Sequence, residues 1–191
     1  MRRLVNIGLA VIGAVSLILL TSTTSSAQKL PKRIHIQATA MGTMTQMGRM
    51  FNVNLIIEEV TSDQERAGLL EAFQAKGNEG LQNALEKMHA KGRMAITGTL
   101  GYDVAYVKVF KQPDGSTIIR MVTNRLLQFG EVWASTRSRD YNLSAVEIVI
   151  SKNKKYSGKL YPACWLKINK EGNVELQLYQ NPWNLTNIMR R

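Results

Sequence analysis

Apolar and polar residues alternate with a period of two over residues 51–57, where Phe51, Val53, Leu55 and Ile57 are separated by Asn52, Asn54 and Ile56. Successive side chains of a strand point to opposite faces, so the run predicts a strand with one apolar face. Further runs at 93–99, 103–111, 116–123, 145–151, 159–168 and 173–179 are rich in β-branched and aromatic residues and are parted by turn signals. The sharpest turn signal is Gln112-Pro113-Asp114-Gly115, in which Pro presets φ and Gly accepts a positive φ. Segments 152–158 and 169–172 read as two more hairpin turns. Alternation nominates an inward set: Val107, Val109, Ile119, Met121, Val146, Ile148, Ile150, Leu160, Leu166, Ile168, Val174, Leu176 and Leu178. Cys164 falls on the same face as Leu160 and Leu166, while Tyr161, Trp165 and Tyr179 fall on the other.

A different period governs the stretch between the first strand and the rest. Ser62-Asp63-Gln64-Glu65 matches a capping box, with hydroxyl and carboxylate each satisfying an amide at the start of a helix. Leu69, Leu70 and Phe73 share a helical face up to Gly77. Leu81, Ala84, Leu85 and Met88 then recur at spacings of three and four, so the pattern predicts two helices folded as a hairpin and ending before Gly92. An apolar helical pair needs a sheet to cover. The expected fold is therefore α+β: a curled antiparallel sheet or partly closed barrel of about seven strands, with one helical hairpin packed against it.

Ahead of this domain the pattern is neither helix nor strand. Arg2 and Arg3 precede an apolar run over residues 4–20 and a small-residue tail ending Ser25-Ser26-Ala27. That is the arrangement of a secretory signal peptide, with transient membrane contact and cleavage before Gln28 favoured over retention as an anchor. Residues 28–46 read as a flexible lead-in with one edge strand near Ile34 and Ile36, and residues 47–191 as a single domain. The expected location is the periplasm or the exterior. A lone cysteine, Cys164, permits no intrachain disulfide, so packing must carry stability.

The formal charge of +11 falls to +9 without Arg2 and Arg3. The excess is concentrated late: residues 132–191 hold 10 Lys and Arg against 4 Asp and Glu. In an exported protein this favours an anionic envelope lipid, a glycan or an acidic protein as partner over nucleic acid.

The long connection 123–141 is dense in polar and aromatic residues, and Arg125, Glu131, Trp133, Arg137, Arg139, Asp140 and Tyr141 are its candidate binding residues. Arginine forks hold carboxylates or phosphates in two-point contact, and they also pin loops to sheets. Glu131 and Asp140 are the acids around which an alternative hydrolase reading is built. Trp165, Tyr161 and Tyr179 are either a ligand platform or a second core layer beneath the helices. Met41, Met44, Met47 and Met50 form a run of thioethers suited to Cu(I), with His35 nearby in sequence. In an extended strand, however, a three-residue step throws successive sulfurs to opposite faces, so they converge only if the segment is irregular or coiled. Core packing or a lead-in is the competing account of the run. Nucleophile elbows, P-loops, zinc pairs and dinucleotide fingerprints are absent from the sequence, and Cys164 lacks a histidine at hand.

The words Thr123-Asn124-Arg125, Phe129-Gly130-Glu131, Arg137-Ser138, Asp140-Tyr141 and Ser144-Ala145-Val146-Glu147 resemble the shared core of a family of small exported bacterial proteins of unknown function. The resemblance spans about residues 47–188 and implies export and one compact domain; it brings no activity with it. The reading that results is an exported envelope protein acting as a non-catalytic binding or structural module, without a cofactor. Its alternatives are the hydrolase and the copper protein.

Overall fold

The computed structural model describes residues 33–127, 141–168 and 174–191. Ten strands and one helix follow in the order β1 (Ile34–Met41), β2 (Met50–Ile57), α1 (Asp63–Lys87), β3 (Gly92–Ile96), β4 (Tyr102–Val104), β5 (Tyr106–Lys111), β6 (Thr117–Thr123), β7 (Leu143–Ile150), β8 (Tyr156–Ile168), β9 (Val174–Leu178) and β10 (Trp183–Arg190). Their pairing runs β4-β3-β2-β1-β10-β8-β7-β6-β5, antiparallel throughout, with β9 attached to β8 off this path.

The two ends of the path are neighbours in sequence. β4 and β5 are one bent strand interrupted at Ala105, its first half paired with β3 and its second half with β6. The sheet is thereby nearly closed into a barrel of nine strands rather than about seven. The difference from expectation lies in the bend at Ala105 and in β1 and β10. β1 lies between β2 and β10 and not at an edge, so Ile34–Met41 of the expected lead-in is built into the wall.

Inward-facing Ile36, Val53, Leu55, Met94, Met121, Ile148, Leu160 and Trp183 fill the barrel, with Phe51 tilted on Trp183 at 4.8 Å. A small barrel filled this way has a packed core in place of a lumen.

A second apolar layer lies outside the barrel, where Leu69, Phe73, Leu81 and Leu85 of α1 cover Ala105, Leu143 and Cys164. The capping box forms as the spacing predicts: Ser62 Oγ accepts from the Glu65 amide at 3.2 Å and Glu65 Oε2 accepts from the Ser62 amide at 2.8 Å. Where a pair of helices was expected, α1 is two helical arms parted by non-helical φ/ψ at Lys76 and Gly77, so the break falls at the glycine the pattern marked. Gly77 has φ +58, the left-handed region that glycine enters without penalty. The kink brings the arms so close that a Cβ on Gly80 would stand 2.2 Å from the Ala72 carbonyl oxygen.

Four residues expected on the inward face, Cys164, Leu166, Leu176 and Leu178, lie elsewhere. Pairing of β7 with β8 slips between Leu143 and Ala145, and such an irregularity reverses which face a residue takes. Leu160 accordingly enters the barrel while Cys164 and Leu166 pack in the outer layer. Leu176 and Leu178, on the off-path strand β9, are exposed. Ile168 and Val174 lie outside the residues whose side chains are described, as does the 169–172 turn.

Candidate functional site

Where β6 ends, the chain leaves the barrel wall through Asn124 and Arg125 and returns as β7. Ser144 holds this exit in place. Its Oγ accepts the Leu127 amide at 2.9 Å and lies 2.6 Å from the carbonyl oxygens of both Arg125 and Pro162, which share its one proton. Leu127 drops into the barrel core, and Arg125 is left with a fixed backbone and an exposed side chain.

Two adjoining hollows of about 330 and 340 Å³ open at this exit and share Tyr102, Asn124 and Arg125. At one end stand the amides of Gln82 from α1 and Asn142, bridged by Asn142 Nδ2 donating to Gln82 Oε1 at 2.9 Å. At the other end stand the carboxylates of Glu86 and Asp103. Arg125 makes no ion pair among the described residues. An anionic group therefore fits the amide end, where the guanidinium attracts it and none of the described lining residues is an acid.

One residue before Asn142, Tyr141 begins an aromatic cluster. It stacks on Trp165 at 4.9 Å and 29° and tilts against Tyr179 at 5.2 Å and 43°. Trp165 Nε1 donates to Gln177 Oε1, and the Tyr179 amide donates to Ala163 O at 3.1 Å. The expected face of Tyr161, Trp165 and Tyr179 is thus divided. Tyr161 is core beneath the helix, while the other two join Tyr141 and leave Tyr179 exposed.

Of the seven binding candidates, Arg125 lines the groove and Tyr141 anchors the aromatic cluster; Glu131, Trp133, Arg137, Arg139 and Asp140 lie outside the described residues. Gln82, Tyr102, Asn142 and Ser144 were not expected at the site. Gln82 had a signal, because it stands one turn before Glu86 beside the apolar stripe Leu81, Leu85 and Met88. Tyr102 and Ser144 had none, since their roles come from strands brought together by the barrel.

Among the described residues, every carboxylate with a displaced pKa is displaced downward. A Lys91 hydrogen bond does this to Glu59, Lys108 to Asp63 and Ser116 to Asp114. Burial pushes Glu65 up, but the Ser62 amide, Lys91 and the Ser62 hydroxyl outweigh it and leave the group lowered. A general acid needs the opposite displacement. Burial raises the Cys164 thiol to about 12, which leaves it a poor nucleophile.

Among the described residues, no group of three His, Cys, Asp or Glu is placed to hold a metal, and no helix is long and apolar enough to cross a membrane. No family model, curated protein or solved structure matches the chain.

Proposed function

We propose that the chain is exported to the bacterial envelope and works there as a non-catalytic binding module whose groove beside Arg125 receives an acidic saccharide. The juxtaposition that carries this reading is an exposed guanidinium among the hydrogen-bonding side chains of Gln82, Tyr102, Asn124 and Asn142, one residue from a stacked aromatic cluster. Amides and a phenol pair with sugar hydroxyls, a guanidinium pairs with a uronate carboxylate, and aromatic faces take the apolar face of a pyranose. The leader at residues 1–27 and the cationic surplus of residues 132–191 support the location and the sign of the ligand's charge.

The test titrates the protein lacking residues 1–27 with an oligohexuronate, a neutral oligosaccharide and vesicles of anionic phospholipid, read by tryptophan fluorescence. The hexuronate is expected to bind with an affinity that falls with salt and drops about tenfold or more in Arg125→Ala. Equal binding of the neutral sugar, binding of the vesicles alone, or an unaffected Arg125→Ala overturns the reading.

A further inference from the structure

The turn joining β1 to β2 has inverted polarity. Its amide side chain, Gln46, is 1% exposed against Gln180, whereas Met44 and Met47 are 71% and 79% exposed. Met41 and Met50, at the neck of the same turn, are 42% and 64% exposed. Single exposed apolar residues are ordinary, but four within ten residues of one hairpin are not. Thioethers serving as core filler would be buried, as Met94 and Met121 are.

The turn is also held in shape. The Gly42 amide donates to Arg49 O at 2.9 Å, the Gln46 amide to Thr43 O at 3.0 Å and the Arg49 amide to Gln46 O at 3.1 Å. Thr43 Oγ1 ties the tip to Pro182 O at 2.7 Å. Met44 sits at φ +53, a left-handed conformation uncommon outside glycine. Such outliers persist where the surroundings impose them, and they concentrate at binding sites.

This geometry removes the obstacle that an extended chain would pose. Residues 44–46 form a 3-10 turn closed by the Met47 amide donating to Met44 O at 3.1 Å. That bond holds the backbones of Met44 and Met47 within a single turn of each other, and both side chains are exposed. Met41 and Met50 are cross-strand partners, and directly opposed residues share a face with Cβ atoms about 5 Å apart. The four methionines thus stand on one closed hairpin tip, Met41 opposite Met50 and Met44 one turn from Met47. His35 is excluded from the set, being six residues down β1 from Met41, about 20 Å away at strand rise.

We propose that this tip is a thioether site for a soft monovalent cation, Cu(I) or its analogue Ag(I), in which Met44 and Met47 form one donor pair and Met41 and Met50 the other. Thioethers are neutral and soft, which suits a monovalent d10 ion and disfavours zinc, magnesium and calcium. They carry no proton to lose, so binding is insensitive to pH where histidine or thiolate ligation would weaken with acid. The site is independent of the Arg125 groove.

Ag(I), which needs no reductant, is titrated into the protein carrying methyl-13C methionine. The methyl signals of Met41, Met44, Met47 and Met50 are expected to shift together and saturate at one equivalent, with Met94 and Met121 unmoved. Affinity is expected to be equal at roughly pH 5 and pH 7, unchanged in Cys164→Ala, and at least tenfold weaker in the double variant Met44→Leu, Met47→Leu, whose thermal midpoint stays that of the parent. The proposal is overturned by silent hairpin methyls, by binding that weakens with acid or vanishes in Cys164→Ala, or by undiminished affinity in the double leucine variant.

Discussion

Asn78 makes both backbone hydrogen bonds of a single distant residue, Leu166: its Nδ2 donates to the Leu166 carbonyl at 2.6 Å and its Oδ1 accepts from the Leu166 amide at 2.8 Å. The side chain behaves as a strand neighbour. Pairing with β7 stops at Leu143 opposite Cys164, and Asn78 takes over two residues further along β8. Because Asn78 immediately follows the kink at Gly77, it also sets where the second arm of α1 lies on the barrel.

Asn78→Ala leaves a partly buried amide and carbonyl without their partner and is expected to destabilise the protein by about 2–3 kcal/mol. Urea unfolding of the variant beside the parent measures it. A change under about 0.5 kcal/mol, the range of an ordinary surface substitution, refutes the clamp.

Lys91 joins chemistry to topology. Its Nζ reaches Glu59 at 2.8 Å and Glu65 at 3.0 Å, while its amide donates to Val104 O at 2.7 Å at the seam of the barrel. Its Glu59 hydrogen bond raises the ammonium pKa from 10.5, against burial, and both carboxylates are lowered from 4.5. What the carboxylates contribute is complete above pH 4.5 and disappears as pH falls through their lower folded values. What the ammonium contributes is complete below pH 10.5 and disappears as pH rises through its higher folded value. The thermal midpoint plotted against pH is expected to decline at both ends, with a shallower acid limb in Lys91→Met. An acid limb of unchanged slope in that variant contradicts the assignment.

Cys164, fully buried with a thiol at about 12 in place of 9.0, is expected to resist disulfide-exchange reagents in the native state and to react at once in denaturant. Between those two values the unfolded thiol ionises and the folded one does not, so stability falls with rising pH by up to about 1.4 kcal/mol per unit. Rapid labelling of the native protein at neutral pH would show the site to be open.

Ser144→Ala removes the nearer of the two acceptors of the Leu127 amide, leaving only Pro162 O at 3.2 Å, and the hydroxyl shared by the Arg125 and Pro162 carbonyls. A loss of about 1–3 kcal/mol is expected in chemical denaturation, together with weaker hexuronate binding, because the backbone beneath Arg125 loosens. Ser144→Thr retains the hydroxyl and should recover part of both. A variant that binds as well as the parent would show that Ser144 does not position Arg125.

Features written within a few residues were legible in the sequence. The capping box at Ser62 and Glu65 formed, and so did the turn at Gly115, with φ +83 and its amide donating to Gln112 O at 3.0 Å. Both need only their neighbours. β10 is different, since it carries no strong alternation of its own, and although β1 does alternate, its partner lies far away: Thr39 and Thr186 meet across 147 residues. The side taken by Cys164 depended on a slip in the pairing of β7 with β8, which no periodicity encodes. At the site, Arg125 could be read from its position in a long polar connection. Tyr102 and Gln82 reach it only because β4 and α1 are folded onto the end of β6. The methionine run stood out by composition, but its place on one hairpin tip depended on the 3-10 turn at Met44–Gln46, which the spacing alone did not reveal.

The adjacency of β1 and β10 dictates an order of events during synthesis. β1 leaves the ribosome early, yet one side of its backbone has no mate until the stretch from Trp183 onward has also emerged. The cylinder cannot seal before Trp183–Arg190 has been made, and until then its wall has a gap along β1.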